Sequence, residues 1–155
     1  MLTCVPQGLC SGDYYVSGAG ADAAVSFDWM TEQGAISFEG RSYQVKKHGW
    51  GSGRWTLEDA GAILAEGQKT GMFTRTIEIR AEELAMTLRS QVFSRQFSLE
   101  QVGRTLGSIV PMHAFTRRAT VNCGTEVPVL VQLFAFWLVA QMWRRAAKSQ
   151  AAAAT

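Results

Sequence analysis

The segment that most restricts how this chain can fold is an apolar stretch near its C-terminus. Residues 127–143 read VPVLVQLFAFWLVAQMW, and only Gln132 and Gln141 interrupt the apolar side chains. Pro128 suits the first turn of a helix, and the basic residues that follow the stretch suit a helix C-terminus. A helix that is apolar on every face must be surrounded by protein or by lipid. We therefore predict an enclosed helix over about residues 128–146.

The length of this stretch helps to choose between protein and lipid. Its 17 residues span about 25 Å as a helix, which is shorter than the roughly 30 Å hydrocarbon core of a bilayer. We favour a helix buried inside the protein and keep insertion in lipid as the alternative, because the basic residues after it suit a membrane interface. The side chains predicted to form the buried helix are Val129, Leu130, Leu133, Phe134, Trp137, Leu138 and Met142.

The hundred residues before the helix have the alternating pattern of short β-strands. Apolar residues recur at every second position, and glycine-containing turns separate the runs. About ten strands at a spacing of 8–12 residues predict an antiparallel barrel or sandwich. Among the residues assigned to inward strand faces are Ile36, Phe38, Leu57, Phe73, Ile77, Ile79, Leu88, Phe93, Phe97 and Leu99.

An internal repeat supports the choice of a barrel. Residues 55–79 align without gaps with residues 97–121, and seven positions are identical, including the consecutive Phe-Thr-Arg at 73–75 and 115–117. Two copies of a strand unit favour a closed barrel with approximate two-fold symmetry, because an open solenoid needs three or more copies. We also expect the repeated Glu58 and Glu100 to pair with the repeated arginines.

The domain prediction follows from these patterns. The fold is mainly β: a closed antiparallel barrel of about 10–12 strands wrapped around the C-terminal helix, over residues 23–147. Residues 1–22 are rich in Gly, Ser and Ala and lack clear periodicity, so we expect a flexible lead-in there. Residues 148–155 end in an alanine run that we expect to be frayed.

This combination of features resembles a known superfamily. Many short strands, the repeat with its Phe-Thr-Arg motif and the helix VPVLVQLFAFWLVAQMW are similar to the tubby-like C-terminal fold. That superfamily includes tubby proteins, phospholipid scramblases and plant LURP-one-related proteins. The resemblance implies a barrel of about twelve strands around one central helix. For function it implies either phosphoinositide headgroup binding through surface Lys and Arg, or a scramblase-like protein with its helix in the membrane.

Charge and cysteine content exclude several function classes. The chain has 15 Lys+Arg against 13 Asp+Glu, a balance that disfavours nucleic-acid binding. The three cysteines predict neither a disulfide framework nor a zinc site, and no metal or cofactor is expected. The N-terminus lacks a secretory pattern, so a cytoplasmic protein is expected, with peripheral association at a membrane.

One segment combines several groups suited to binding an anion. Residues 46–55 read KKHGWGSGRW, and glycine-rich turns can offer backbone N–H groups to anions while Trp suits a membrane interface. We take Lys46, Lys47, Trp50 and Arg54 as the candidate anion- or lipid-binding residues. The alternative is an ordinary hairpin turn with Trp55 in the core.

The sequence therefore predicts a binding module rather than an enzyme. No nucleophile–base pair, cofactor loop or metal cluster is evident. The expected ligand is an anionic lipid headgroup or a protein partner. The alternative is a membrane-associated, scramblase-like protein whose C-terminal helix is inserted in lipid.

Overall fold

Twelve antiparallel strands form a closed barrel in which each strand pairs with its neighbours in sequence, and the first strand pairs with the last. The computed structural model describes residues 1–51 and 53–155. The strands are β1 (Leu2–Pro6), β2 (Tyr14–Gly18), β3 (Ala21–Phe27), β4 (Gly34–Phe38), β5 (Arg41–His48), β6 (Arg54–Asp59), β7 (Ala62–Lys69), β8 (Thr76–Ala81), β9 (Leu84–Ser90), β10 (Phe97–Gln101), β11 (Arg104–Pro111) and β12 (Ala119–Cys123), and one helix follows, α1 (Val129–Ala153).

The helix occupies the interior of the barrel, as predicted. Every residue from Leu133 to Val139 is completely buried, and this span covers about two helical turns. All faces of the helix are therefore enclosed by inward-pointing strand residues. The indole N–H of Trp137 donates a hydrogen bond to the Ser26 carbonyl at 3.0 Å, and the side-chain amide of Gln132 donates to the Val127 carbonyl at 2.8 Å. These bonds satisfy polar groups that burial would otherwise leave unpaired.

Close approach of the wall to the helix depends on a glycine. A Cβ atom at Gly67 in β7 would lie 2.7 Å from Leu138 Cδ1. The missing side chain makes room for Leu138 against the strand. This contact fixes the helix at one depth relative to the wall, because interiors are packed at high density.

The sequence repeat has a structural counterpart in the barrel. Strands β6–β8 and β10–β12 correspond, and both units carry a register shift in their first hairpin, after Leu57 and after Leu99. The repeat advances by four strands, so three such steps fill the twelve-strand barrel.

Two boundary predictions are wrong. Residues 1–22 are not a flexible lead-in, because β1 and β2 lie within them and complete the barrel. The helix continues to Ala153 rather than ending near residue 146, so most of the predicted frayed tail is helical. The alanine-rich composition of this segment explains the extension, since Ala has the highest helix propensity.

Three predictions about individual side chains are also wrong. Phe73 and Phe93 lie in loops and are exposed, rather than on inward strand faces. Glu58 and Glu100 do not pair with the repeated arginines. Glu58 accepts hydrogen bonds from Lys46 and Thr56, and Glu100 accepts them from Arg89 and Ser98. The glutamates lie beside short turns at one end of the barrel, whereas the repeated arginines belong to loops at the other end.

Candidate functional site

The two ends of the barrel are built differently. In an antiparallel barrel whose strands follow one another, successive connections lie at alternate ends. At one end, strands are joined by two-residue turns, and the connection to α1 also lies there. At the other end, six loops of five to seven residues join the strands, and the helix emerges between them. We call these the short-turn end and the long-loop end.

Each of the six long loops carries a large apolar side chain in solvent. Ten of the fourteen exposed large hydrophobic residues of the described chain belong to these loops. We call this set the apolar crown; its members are Leu9, Trp29, Met30, Trp50, Met72, Phe73, Val92, Phe93, Met112 and Phe115. Isolated exposed apolar residues are ordinary on protein surfaces, but their gathering at one end indicates an interaction surface.

The Phe-Thr-Arg motif of the repeat belongs to this crown. Phe73 and Phe115 occupy equivalent loops in two barrel units, and both rings are almost completely exposed. Neither ring contributes to the buried core, so packing does not account for its recurrence. Recurrence of a side chain at an exposed loop position points to binding rather than to folding.

Charge is distributed unequally between the two ends. The six long loops and the emerging helix carry seven basic side chains and three acidic ones. The turns of the short-turn end, with residues 124–128, carry four acidic side chains and no basic one. The protein is therefore electrically polar along the barrel axis. The basic residues of the long-loop end are Arg75, Arg95, Arg117, Arg118, Arg144, Arg145 and Lys148.

Several of these cations are held by neutral groups. Arg117 donates to the backbone carbonyls of Gly8, Leu9 and Ser11. The Arg95 guanidinium lies over the Trp143 ring at 5.0 Å. A carbonyl or a ring orients a guanidinium without cancelling its charge. The positive potential at the long-loop end is consequently preserved.

Glu32 is the main acidic group at this end and joins the helix to the loops. The Arg145 guanidinium donates two hydrogen bonds of 2.7 Å to its carboxylate, and Lys47 donates a third at 2.5 Å. The hydrogen bonds from Arg145 and then from Lys47 lower the pKa of Glu32 to about 2, despite partial burial. The Trp55 indole N–H donates to the backbone carbonyl of Glu32 at 3.0 Å.

The structure separates the candidate residues predicted from the sequence. Lys46 pairs with Glu58 at 3.3 Å, Lys47 with Glu32, and Arg54 with Glu66 at 2.9 Å. The charges of these three residues are thus compensated by carboxylates of the same chain. Trp55 is completely buried, as the ordinary-hairpin alternative required, whereas Trp50 projects fully into solvent as part of the apolar crown.

Other chemistry is limited in the part of the chain that the structure describes. No cluster of three or more His, Cys, Asp or Glu side chains is placed to hold a metal ion there. Burial raises the pKa of Cys4 to about 12 and that of Cys123 to about 11, which suppresses the reactive thiolate form. Within residues 1–51 and 53–155, no helix combines the length and apolarity of a membrane span.

No protein-family model, curated protein or solved structure matches this chain. The geometry and chemistry of the long-loop end are therefore the guide to function. Sequence periodicity missed this surface because its apolar side chains lie between the strands. The available signal was the recurrence of Trp, Phe or Met in the segments that join successive strands.

Proposed function

We propose that this protein is a non-enzymatic binding module that docks peripherally on anionic membranes through its long-loop end. The observation that carries the proposal is the apolar crown, to which all six loops at one end contribute, together with the surplus of basic residues around it. Aromatic side chains favour the membrane interface, and cations are attracted to anionic lipid headgroups.

The electrostatic part of this proposal has a definite orientation. Each Lys or Arg close to an anionic membrane surface contributes about 1 kcal/mol of attraction. Glu126 is paired with Arg104 at 3.3 Å, and the other three acidic side chains of the short turns, Glu39, Glu82 and Glu83, oppose contact through that end. A negatively charged surface therefore orients the barrel with its loops towards the lipid. The cytoplasmic leaflet carries the anionic lipids that suit this polarity.

The apolar part of the proposal supplies binding that salt does not screen. Complete burial of a large apolar side chain contributes about 1.5–3 kcal/mol. Shallow insertion of a few crown side chains therefore adds several kcal/mol to the electrostatic attraction. The indole rings of Trp29 and Trp50 suit the headgroup region, where one edge of the ring is wet and the other contacts acyl chains.

A sedimentation assay with liposomes tests this function. Wild-type protein is expected to pellet with vesicles of phosphatidylcholine and phosphatidylserine and much less with phosphatidylcholine alone. A crown variant that combines Trp50→Ser, Phe93→Ser and Phe115→Ser should bind at least about tenfold more weakly, because three apolar anchors are removed. These side chains are almost completely exposed, so folding should be retained.

A matched control removes exposed apolar residues elsewhere. Ile63→Ser with Val102→Ser changes two exposed side chains outside the long loops, and membrane binding should be unchanged. Equal binding by the crown variant and the wild type would reject the proposal. If the wild type does not bind vesicles and the crown substitutions abolish its self-association in analytical ultracentrifugation, the apolar crown binds a protein partner instead.

A further inference from the structure

A basic cleft opens within the long-loop end, beside the point where the helix emerges. It lies between Gly51 and Gly53, the loop 70–75 and the exposed part of α1, and its volume is about 610 Å³. Met72 of the apolar crown lines its rim. The cleft therefore opens on the surface that the proposed function places against lipid.

The lining of the cleft is strongly positive. Lys69 at the end of β7 and Arg145 and Lys148 on α1 contribute three cations, and no carboxylate is found among the described residues that line the cleft. Glu32 binds Arg145 but is not a lining residue. A helix C-terminus carries only about half a negative charge. Glu32 compensates the charge of Arg145, but the ammonium groups of Lys69 and Lys148 outweigh the helix terminus, so the cleft attracts anions.

The donors of the cleft are fixed in place. Lys69 Nζ donates to the Met72 carbonyl at 3.1 Å, and Lys148 Nζ donates to the Trp29 carbonyl at 3.4 Å. Each ammonium has three N–H donors, so these bonds leave donors for a ligand. The guanidinium of Arg145 is held by its two bonds to Glu32. Arg145 is thus held before a ligand binds, and single carbonyl contacts orient the two lysines.

Crowding of positive charge makes the cleft receptive to an anion. Burial and then the charges of Arg145 and Arg75 lower the pKa of Lys69. A Cβ atom at Gly53 would lie 2.8 Å from Lys69 Cβ, so the glycine permits the close approach of the two strands. The hydroxyl groups of Thr70 and Ser149 add neutral donors to the lining. An anion bound there would relieve the repulsion among the cations.

The geometry points to binding of a phosphomonoester dianion, carried by a membrane lipid, between Lys69, Arg145 and Lys148. This inference rests on the proposed function and refines it to a lipid headgroup class. A phosphomonoester carries about 1.5 to 2 negative charges near neutral pH and three acceptor oxygens. A phosphodiester carries a single charge. A cleft lined by Lys69, Arg145 and Lys148 therefore favours the monoester.

Vesicle binding at matched surface charge tests the inference. Full-length protein is titrated with phosphatidylcholine vesicles that contain either phosphatidic acid or phosphatidylserine, adjusted to equal zeta potential. Wild-type protein should prefer phosphatidic acid by about tenfold. Lys69→Gln with Lys148→Gln should reduce this preference to about one. The single variant Lys148→Gln alters an exposed side chain and should lower the preference even if the double variant folds poorly.

A charge-matched control distinguishes the cleft from the surface around it. Arg95→Gln with Arg118→Gln removes two positive charges from the same end of the barrel but outside the cleft lining. This variant should weaken binding to both vesicles and keep the preference for phosphatidic acid. A loss of preference as large as that in the Lys69 and Lys148 variant would overturn the cleft assignment.

Two further results would overturn the inference without ambiguity. Equal binding of both vesicle types by the wild type would refute phosphomonoester binding in the cleft and leave membrane docking intact. Binding to neither vesicle type would refute both proposals. Inorganic phosphate, titrated by NMR at the Thr70 and Gly71 amides, tests the free anion as the source. Phosphate that binds as tightly as the vesicles would show that the cleft takes a soluble anion rather than a lipid.

Discussion

A double-mutant cycle across the contact between β7 and α1 tests the position of the helix inside the barrel. Gly67→Ala places a methyl group 2.7 Å from Leu138 Cδ1, a distance that forces the helix or the strand to move. Overpacking of this kind costs about 1–3 kcal/mol. Leu138→Ala deletes a completely buried side chain and should cost about 2–5 kcal/mol through lost burial and a residual cavity.

The two substitutions should compensate each other. The methyl group at position 67 enters the space vacated at position 138, so the double variant should be more stable than the sum of the single effects by about 1 kcal/mol or more. Guanidinium unfolding of the four proteins measures this coupling. Gly8→Ala is the control, because a Cβ there would meet nothing within 4 Å. Strict additivity would contradict the contact between helix and wall.

The remaining predictions concern titration and thiol reactivity. Glu32→Gln should destabilise the protein at pH 7 by about 1–2 kcal/mol, because partial exposure of the ion pairs reduces the value implied by the lowered pKa of Glu32. Because the pKa of Glu32 is lower in the folded state, its carboxylate stabilises the fold fully above about pH 4.5 and loses this effect as the pH falls through about 2. The difference in the free energy of urea unfolding between the variant and the wild type should therefore disappear there. A difference that persists would contradict the role given to Glu32. In the native protein, a thiol reagent should modify Cys10, which is exposed, far faster than Cys4 or Cys123, and equal rates would contradict their burial.

The barrel and its central helix could be predicted because both leave periodic signals. Alternating apolar residues define an inward strand face, and a stretch that is apolar all round requires enclosure. The first two strands were missed although Leu2, Cys4, Tyr14 and Val16 alternate correctly, because the intervening glycines obscured the pattern.

The long-loop end could not be predicted by the same reasoning. Phe73 precedes Ile77 by four residues, an even spacing that also fits a single strand. Only the structure shows that β8 begins at Thr76, after Phe73. Lys69 lies more than seventy residues before Arg145 and Lys148, which are neighbours on α1, and the barrel around the helix brings the three into one cleft. Likewise, the pair of Lys46 with Glu58 depends on the register of β5 against β6, and the pair of Lys47 with Glu32 depends on the position of the loop 28–33; the sequence pattern determined neither.

A fluorophore placed at either end of the barrel measures the orientation of membrane docking directly. In a Cys10→Ser background, an environment-sensitive dye is attached at Phe93→Cys or at Val102→Cys, two positions where the native side chains are fully exposed. Addition of phosphatidylserine-containing vesicles should shift the emission of the dye at position 93 to the blue and leave the dye at position 102 unchanged. A blue shift at position 102, or none at position 93, would contradict docking through the long-loop end.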